Sequence, residues 1–297
     1  MHNMDMKNKT ICRLMEELTQ SKNGEHATAL PGVRLYRRDA PTDRQPVSYT
    51  AGLVIICQGS KVGYLHGQAL HYDAENYLVL AAPLPLECQS FASKVEPLLV
   101  IVVDIDITLL QHIWTQLDQE TLTKGLKKAA DARVAEATPQ TPAMQGLIER
   151  LLTHLKHPES AKILGRDIVK ELYYYALTGD QAPALFALAD RNSHFTRMAQ
   201  TLSYIQQHLS DPLTIEHLAE ISGMSPPSFH RLFKKVTGDS PVQFIKKARL
   251  SSAKHLIQNH GMKTSIAAQS VGYESASQFS REFKRLFGVT PSQQKAA

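Results

Sequence analysis

Apolar positions in the last third of the chain recur at helical intervals, in short stretches punctuated by Gly and Pro. Met198, Leu202, Ile205 and Leu209 fall on one helix face. Asp211-Pro212 interrupts that pattern, and Thr214 is placed to cap a short helix carrying Leu218, Ala219 and Ile221 up to Gly223. Ser225 then caps a helix with Pro226 at its first position, where a missing N–H is harmless, closing near Gly238. Two short helices joined by a tight glycine-containing turn predict a helix-turn-helix. Ser240-Pro241 starts a longer helix with Phe244, Ile245, Ala248, Ser252 and Leu256 on one face, stopping before Gly261. A second short pair follows: Ala267, Ala268 and Val271 before Gly272, then a helix capped by Ser275 and running to Gly288.

The two units, 214–238 and 264–288, are echoes of one another. FHRLFKK at 229–235 returns as FSREFKR at 279–285, with Phe229/Phe279, Arg231/Arg281, Phe233/Phe283, Lys234/Lys284, Gly238/Gly288 and Pro241/Pro291 all offset by fifty. Phenylalanines four apart share a helix face and are expected in the core. Pro227, His230, Arg231 and Lys234 then point outwards in the first unit, and Ser277, Gln278, Arg281 and Lys284 in the second. A helix from Pro241 to Gln258 is roughly 27 Å long, about the strut needed to hold two recognition helices a DNA turn, on the order of 34 Å, apart. Arginine offers a planar fork to guanine and glutamine a donor–acceptor pair to adenine, while lysines and helix N-termini suit phosphates.

Earlier in the chain the texture is different. Runs at 53–57, 62–67, 76–82, 86–91 and 98–105 are short and β-rich, separated by turn material, which predicts a sandwich or small barrel over about residues 30–107. Helical spacing returns from 108 to 185: Ile113 with Leu117, a Thr141-Pro142 start with Met144, Leu147, Leu151 and Leu155, and a helix from about Ser160 to Thr178. The expected fold class is α+β in two domains, 1–190 and 191–297, the first a sandwich or small β-barrel with following helices and the second all-α. Trp114 and the Tyr173–Tyr175 run are candidates for core or inter-subunit packing.

Charge changes the picture. Residues 201–297 hold 12 Lys+Arg against 6 Asp+Glu, a balance of +6, while the remaining 21 against 22 give −1. The excess positive charge lies with the echo and points to nucleic acid. No apolar run approaches the ~18 residues of a membrane span, and the first residues are too polar for a secretory signal, so no membrane partner and a cytoplasmic setting are expected. Cys12, Cys57 and Cys88 form no C-x-x-C pair. Cys57 and Cys88 fall in apolar strands, where buried packing competes with a ligand- or oxidant-sensing role that would need a depressed pKa. His66, His71 and Glu75 are the nearby candidates for a metal, but they lack the H-x-H spacing of metal cupins, so neither metal nor other cofactor is expected. No Ser/His/Asp motif or phosphate loop suggests an enzyme.

Residues about 198–292, through LAEISGMSPPSFHRLFKKVTGDSPVQFIKKARLSSAKHLI and AAQSVGYESASQFSREFKRLFGVTP, resemble the DNA-binding domain of the AraC/XylS family of bacterial transcription regulators. The resemblance implies base or near-base contact from Pro227, His230, Arg231, Ser277, Gln278 and Arg281, with the arginine of Arg249-Leu250 in a structural role. LPGVRLYRRDAP and CQGSKVGYLHGQALHYDAENYLVLAAPLPLEC resemble an AraC-type subfamily whose N-terminal module is cupin-like. This implies a sequence-specific regulator, an activator as most of the family are. Its implied partners are promoter DNA, RNA polymerase, a small-molecule effector and a second subunit through the helices. Two departures stand out: Pro226-Pro227 removes hydrogen-bonding side chains from the first unit's entry, and Thr264 replaces a large aliphatic, predicting looser packing of the second. A cupin enzyme with a DNA-binding tail and an architectural protein without sequence preference are the competing readings.

Overall fold

The computed structural model describes residues 2–65, 68–129, 133–179, 183–190 and 193–294. Helix α1 (His2–Leu18) precedes strands β1 (Gly24–Ala27), β2 (Val33–Arg38), β3 (Thr42–Tyr49), β4 (Gly52–Gln58), β5 (Ser60–Leu65), β6 (Gln68–Asp73), β7 (Asn76–Leu80), β8 (Leu84–Phe91) and β9 (Leu98–Asp104). Helices α2 (Ile107–Trp114) and α3 (Gln119–Ala129), strand β10 (Ala135–Pro139), and helices α4 (Pro142–Leu155), α5 (Pro158–Thr178) and α6 (Pro183–Ala189) complete the first part.

Every pairing is antiparallel, in the order β1-β2-β9-β4-β7-β6-β5-β8-β3, with β10 added against β7. The two end strands do not pair, so the sheet curls into a half-barrel rather than a closed one. Central strands are apolar on both faces because one face looks into the curl and the other lies under helices: Leu53 to Cys57 of β4 are all buried, and α1 packs on β4 and α4. Peripheral β2 alternates buried and half-buried residues instead. The edge strand β3 carries Pro46, which an edge tolerates because one side of it needs no ladder donor.

The helical part begins with α7 (His194–Gln207) and α8 (Ile215–Ile221), followed by α9 (Pro226–Thr237), α10 (Pro241–His260), α11 (Thr264–Ser270) and α12 (Ala276–Phe287). The residues expected to cap α8, α10 and α12 do so: Thr214, Ser240 and Ser275 accept from the backbone N–H of His217, Gln243 and Gln278. α9 and α12 end in Gly238 and Gly288 with the same backbone, φ 75° and ψ −15°, a left-handed turn that glycine adopts without strain.

The cores divide unexpectedly. Phe229, Phe233, Phe244, Ile245 and Ala248 belong to one continuous cluster with the half-barrel, its helices and α7. Leu250, Ala253, Ile257, Ala267, Ala268, Val271, Tyr273, Phe279 and Phe283 form a second, smaller cluster. Helix α10 thus gives its N-terminal half to one core and its C-terminal half to the other.

Candidate nucleic-acid interface

Both recognition helices are oriented by their buried rings. Phe229 and Phe233 are fully buried with centroids 5.3 Å apart, as are Phe279 and Phe283 at 5.4 Å. Burying that face turns the opposite one outwards, and Pro227, His230, Arg231, Lys234, Ser277, Gln278, Arg281 and Lys284 are all exposed. Among the described residues Arg231, Lys234, Arg281 and Lys284 form no ion pair, which leaves uncompensated cationic faces on α9 and α12, the recognition helices before and after the 20-residue α10. At 1.5 Å per residue that helix is about 30 Å long.

Each face has its own internal order. In α9 the Ser225 hydroxyl donates to Ser228 Oγ at 3.1 Å, and Arg231 Nη2 donates to the same oxygen at 3.3 Å. In α12 Gln278 Nε2 donates to Glu282 Oε1 at 3.4 Å. Glu282 also accepts from Lys246 Nζ of α10 at 3.1 Å and from the Tyr273 hydroxyl at 2.7 Å. Burial works against the Glu282 charge, but these hydrogen bonds outweigh it and hold its pKa below the usual carboxylate value. Burial first, and then the bond to Glu282, raise the Tyr273 pKa.

Arg249 serves the scaffold. Its Nη2 donates to the Asp211 carbonyl at 2.8 Å and its Nη1 to the Gly272 carbonyl at 3.4 Å, so one guanidinium ties the turn before α8 to the turn after α11. Thr264 opens α11 half-buried, and Phe279 and Phe283 of its unit are as fully buried as their counterparts. Ser228, Lys246, Tyr273 and Glu282 escape a sequence reading; only the i, i+4 spacing of Gln278 and Glu282 hints at their cooperation.

Residues 29–184 match the family model described as the AraC-type transcriptional regulator N-terminus, and 218–297 match a helix-turn-helix domain model. The chain belongs to the AraC-type transcriptional regulators. Family members are regulators rather than enzymes. The chain is 30% identical over 146 residues to the probable transcriptional regulator LumQ of Photobacterium leiognathi, covering 49% of this chain and 57% of LumQ. It is 40% identical over 92 residues to the RCS-specific activator RclR of Escherichia coli, covering 30% and 32%. The matched stretches thus span between a third and just over half of these relatives. The two-domain fold is that of ToxT from Vibrio cholerae, solved with an unsaturated fatty acid bound: TM-score 0.63 at 15% identity, over 88% of this chain and 93% of ToxT.

In this AraC-type chain the two parts meet on α10. Lys254, 7% exposed, donates from Nζ to Gln45 Oε1 of β3 at 2.8 Å and lies 4.7 Å from the Phe287 ring centroid. Burial, and secondarily Arg38, lower the Lys254 pKa. Deeper in the curl, Lys61 donates to the Tyr49 hydroxyl, Tyr49 and Tyr72 hydroxyls stand 3.1 Å apart, and Tyr72 Oη is 3.8 Å from Cys88 Sγ. Burial lowers the Lys61 pKa too, opposed by Cys88 and reinforced more weakly by Arg38. Cys57 is buried elsewhere, its carbonyl accepting from the Cys12 thiol at 3.6 Å. Burial raises the Cys57 pKa and pushes Cys12 up to about 11, the reverse of the depressed value an activated thiolate needs.

His71 and Glu75 are exposed, and His66 lies outside the described residues; no cluster of three metal-ligating side chains occurs among the described ones. Trp114 packs edge-on against Phe186 of the same chain at 5.2 Å. Tyr173 is buried, whereas Tyr174 and Tyr175 are 46% and 38% exposed. No helix of the described residues is long and apolar enough to cross a membrane.

Proposed function

We propose that the chain is a cytoplasmic, sequence-specific activator of transcription. Units 214–238 and 264–288 read adjacent major-groove segments, and residues 1–190 receive a small-molecule signal. The observation that carries this reading is the pair of matched, uncompensated cationic faces on α9 and α12, the recognition helices before and after α10. Arg231, His230, Pro227, Ser277, Gln278 and Arg281 face base edges, and Lys234 and Lys284 face phosphates. Site selection from randomised duplexes with the full chain, followed by affinity measurements, tests it. Arg281→Ala should relax preference at one half-site, while Lys284→Ala should weaken all sites alike and reduce the salt slope by about 0.9. If neither substitution changes affinity or preference, the docking face is wrong; equal affinity for selected and random duplexes would favour an architectural role.

For the signal, burial and the Arg38 charge lower the pKa of both Lys61 and Lys254, and none of these three cations forms an ion pair among the described residues. This favours an anionic effector between half-barrel and α10, chemistry also met by the fatty acid bound to ToxT. A thermal shift of the full chain with oleate but not with its methyl ester is the expected result. RNA polymerase is the implied partner in activation. The exposed Ile163, Leu164, Tyr174 and Tyr175 on α5 favour a second copy of the chain as another.

A further inference from the structure

The second recognition helix contains a device that the first lacks. Gln278 is the third residue of α12 after the cap Ser275, where a glutamine ordinarily reaches back to the capping residue's backbone N–H. Here its amide turns forward to Glu282. A carboxylate only accepts, so the NH₂ end of the amide must face Glu282 and the carbonyl oxygen must face away. One N–H and the carbonyl oxygen remain free, which is the donor–acceptor pair that adenine N7 and N6 require. Glu282 is itself held from two other elements, by Lys246 of α10 and by Tyr273 of the turn before α12. Only 14% of its side chain is exposed. Lys246 also offsets a negative charge on a helix that must approach phosphates. At the fifty-residue offset the first unit has Ser228 for Gln278, Leu232 for Glu282 and Gly223 for Tyr273, so nothing equivalent can form there.

We propose that Glu282 is a specificity-determining positioning residue, which fixes the polarity of the Gln278 amide and thereby makes the second unit discriminate adenine from the other bases at one position. This rests on the reading that α12 enters the major groove. Glu282→Gln is nearly isosteric and keeps a hydrogen-bonding neighbour, but a neutral amide can donate as well as accept, so the Gln278 amide is free to turn over.

Sites are selected from randomised duplexes with the full wild-type chain, and affinities are then compared on duplexes carrying each possible base pair at every position. Gln278→Ala should abolish preference at one position, where a bidentate pair discriminates by about five-fold or more. Glu282→Gln should flatten that same position while leaving the others and the salt slope close to wild type. In the double variant Glu282→Gln should add nothing to Gln278→Ala. If Gln278→Ala leaves every preference intact, the groove-docking assignment of Gln278 fails. If Gln278→Ala flattens one position but Glu282→Gln leaves it sharp, or weakens all duplexes equally, the positioning role alone is overturned.

Discussion

Lys254, on the helix that joins the two recognition units, donates a hydrogen bond to Gln45 on the edge strand of the half-barrel. The residues are 209 apart in sequence, and through them the half-barrel touches the helix that joins the two helix-turn-helix units. Lys254→Met keeps the apolar stem and removes the charge. Gln45 loses a donor, at about 1–3 kcal/mol, but the cost of burying an ammonium group disappears, so the melting temperature should move by only a few degrees. The oleate-induced thermal shift expected of the wild type should be lost.

Phe279 lies in the smaller of the two cores. Phe279→Ala should cost about 3–5 kcal/mol, and the loss should be local. Hydrogen exchange is the informative measurement: amides of α11 and α12 should lose protection while those of α9, which belongs to the larger core, keep theirs.

Gly272 has φ 83°, and a Cβ there would stand 2.8 Å from the Leu209 carbonyl oxygen. Backbone cannot yield as a flexible side chain could, and the left-handed conformation adds strain of order 1–3 kcal/mol. Gly272→Ala should therefore destabilise the second unit by about 2 kcal/mol or more in denaturant titrations.

Glu282 gives a pH signature. A carboxyl more acidic in the folded chain than its ordinary 4.5 stabilises the fold above that value and ceases to as pH falls through the lower folded pKa. The stability difference between wild type and Glu282→Gln should be constant near neutrality. It should shrink below about pH 4.5 when melts are compared down the acid range.

The helix-turn-helix units are legible in the sequence because caps, glycines and paired phenylalanines act locally and recur. Strands β4, β7 and β9 are legible as apolar runs for a related reason, that burial on both faces leaves little polar alternation to confuse them. Helix α1 is harder to see: Ile11, Leu14 and Met15 carry the helical spacing and are buried, but a polar start dilutes the stripe. Strand β3 hides behind Asp43, Arg44 and Pro46, which an edge position permits. Strand β10 sits among helices and is defined by its partner β7, more than fifty residues earlier. The contacts of Glu282 with Lys246 and of Lys254 with Gln45 exist only once distant segments fold together, and no local pattern announces them.

The division of α10 between two cores gives the fifty-residue echo an unequal mechanical meaning. The first unit shares its apolar interior with the half-barrel and its helices. The second has its own small interior, and the C-terminal half of α10 together with α12 borders the half-barrel's edge strand. On the proposed function, a signal that displaces the edge strand would reach the second reading head through the Lys254–Gln45 contact, so the distance between two DNA contacts would be the quantity under control.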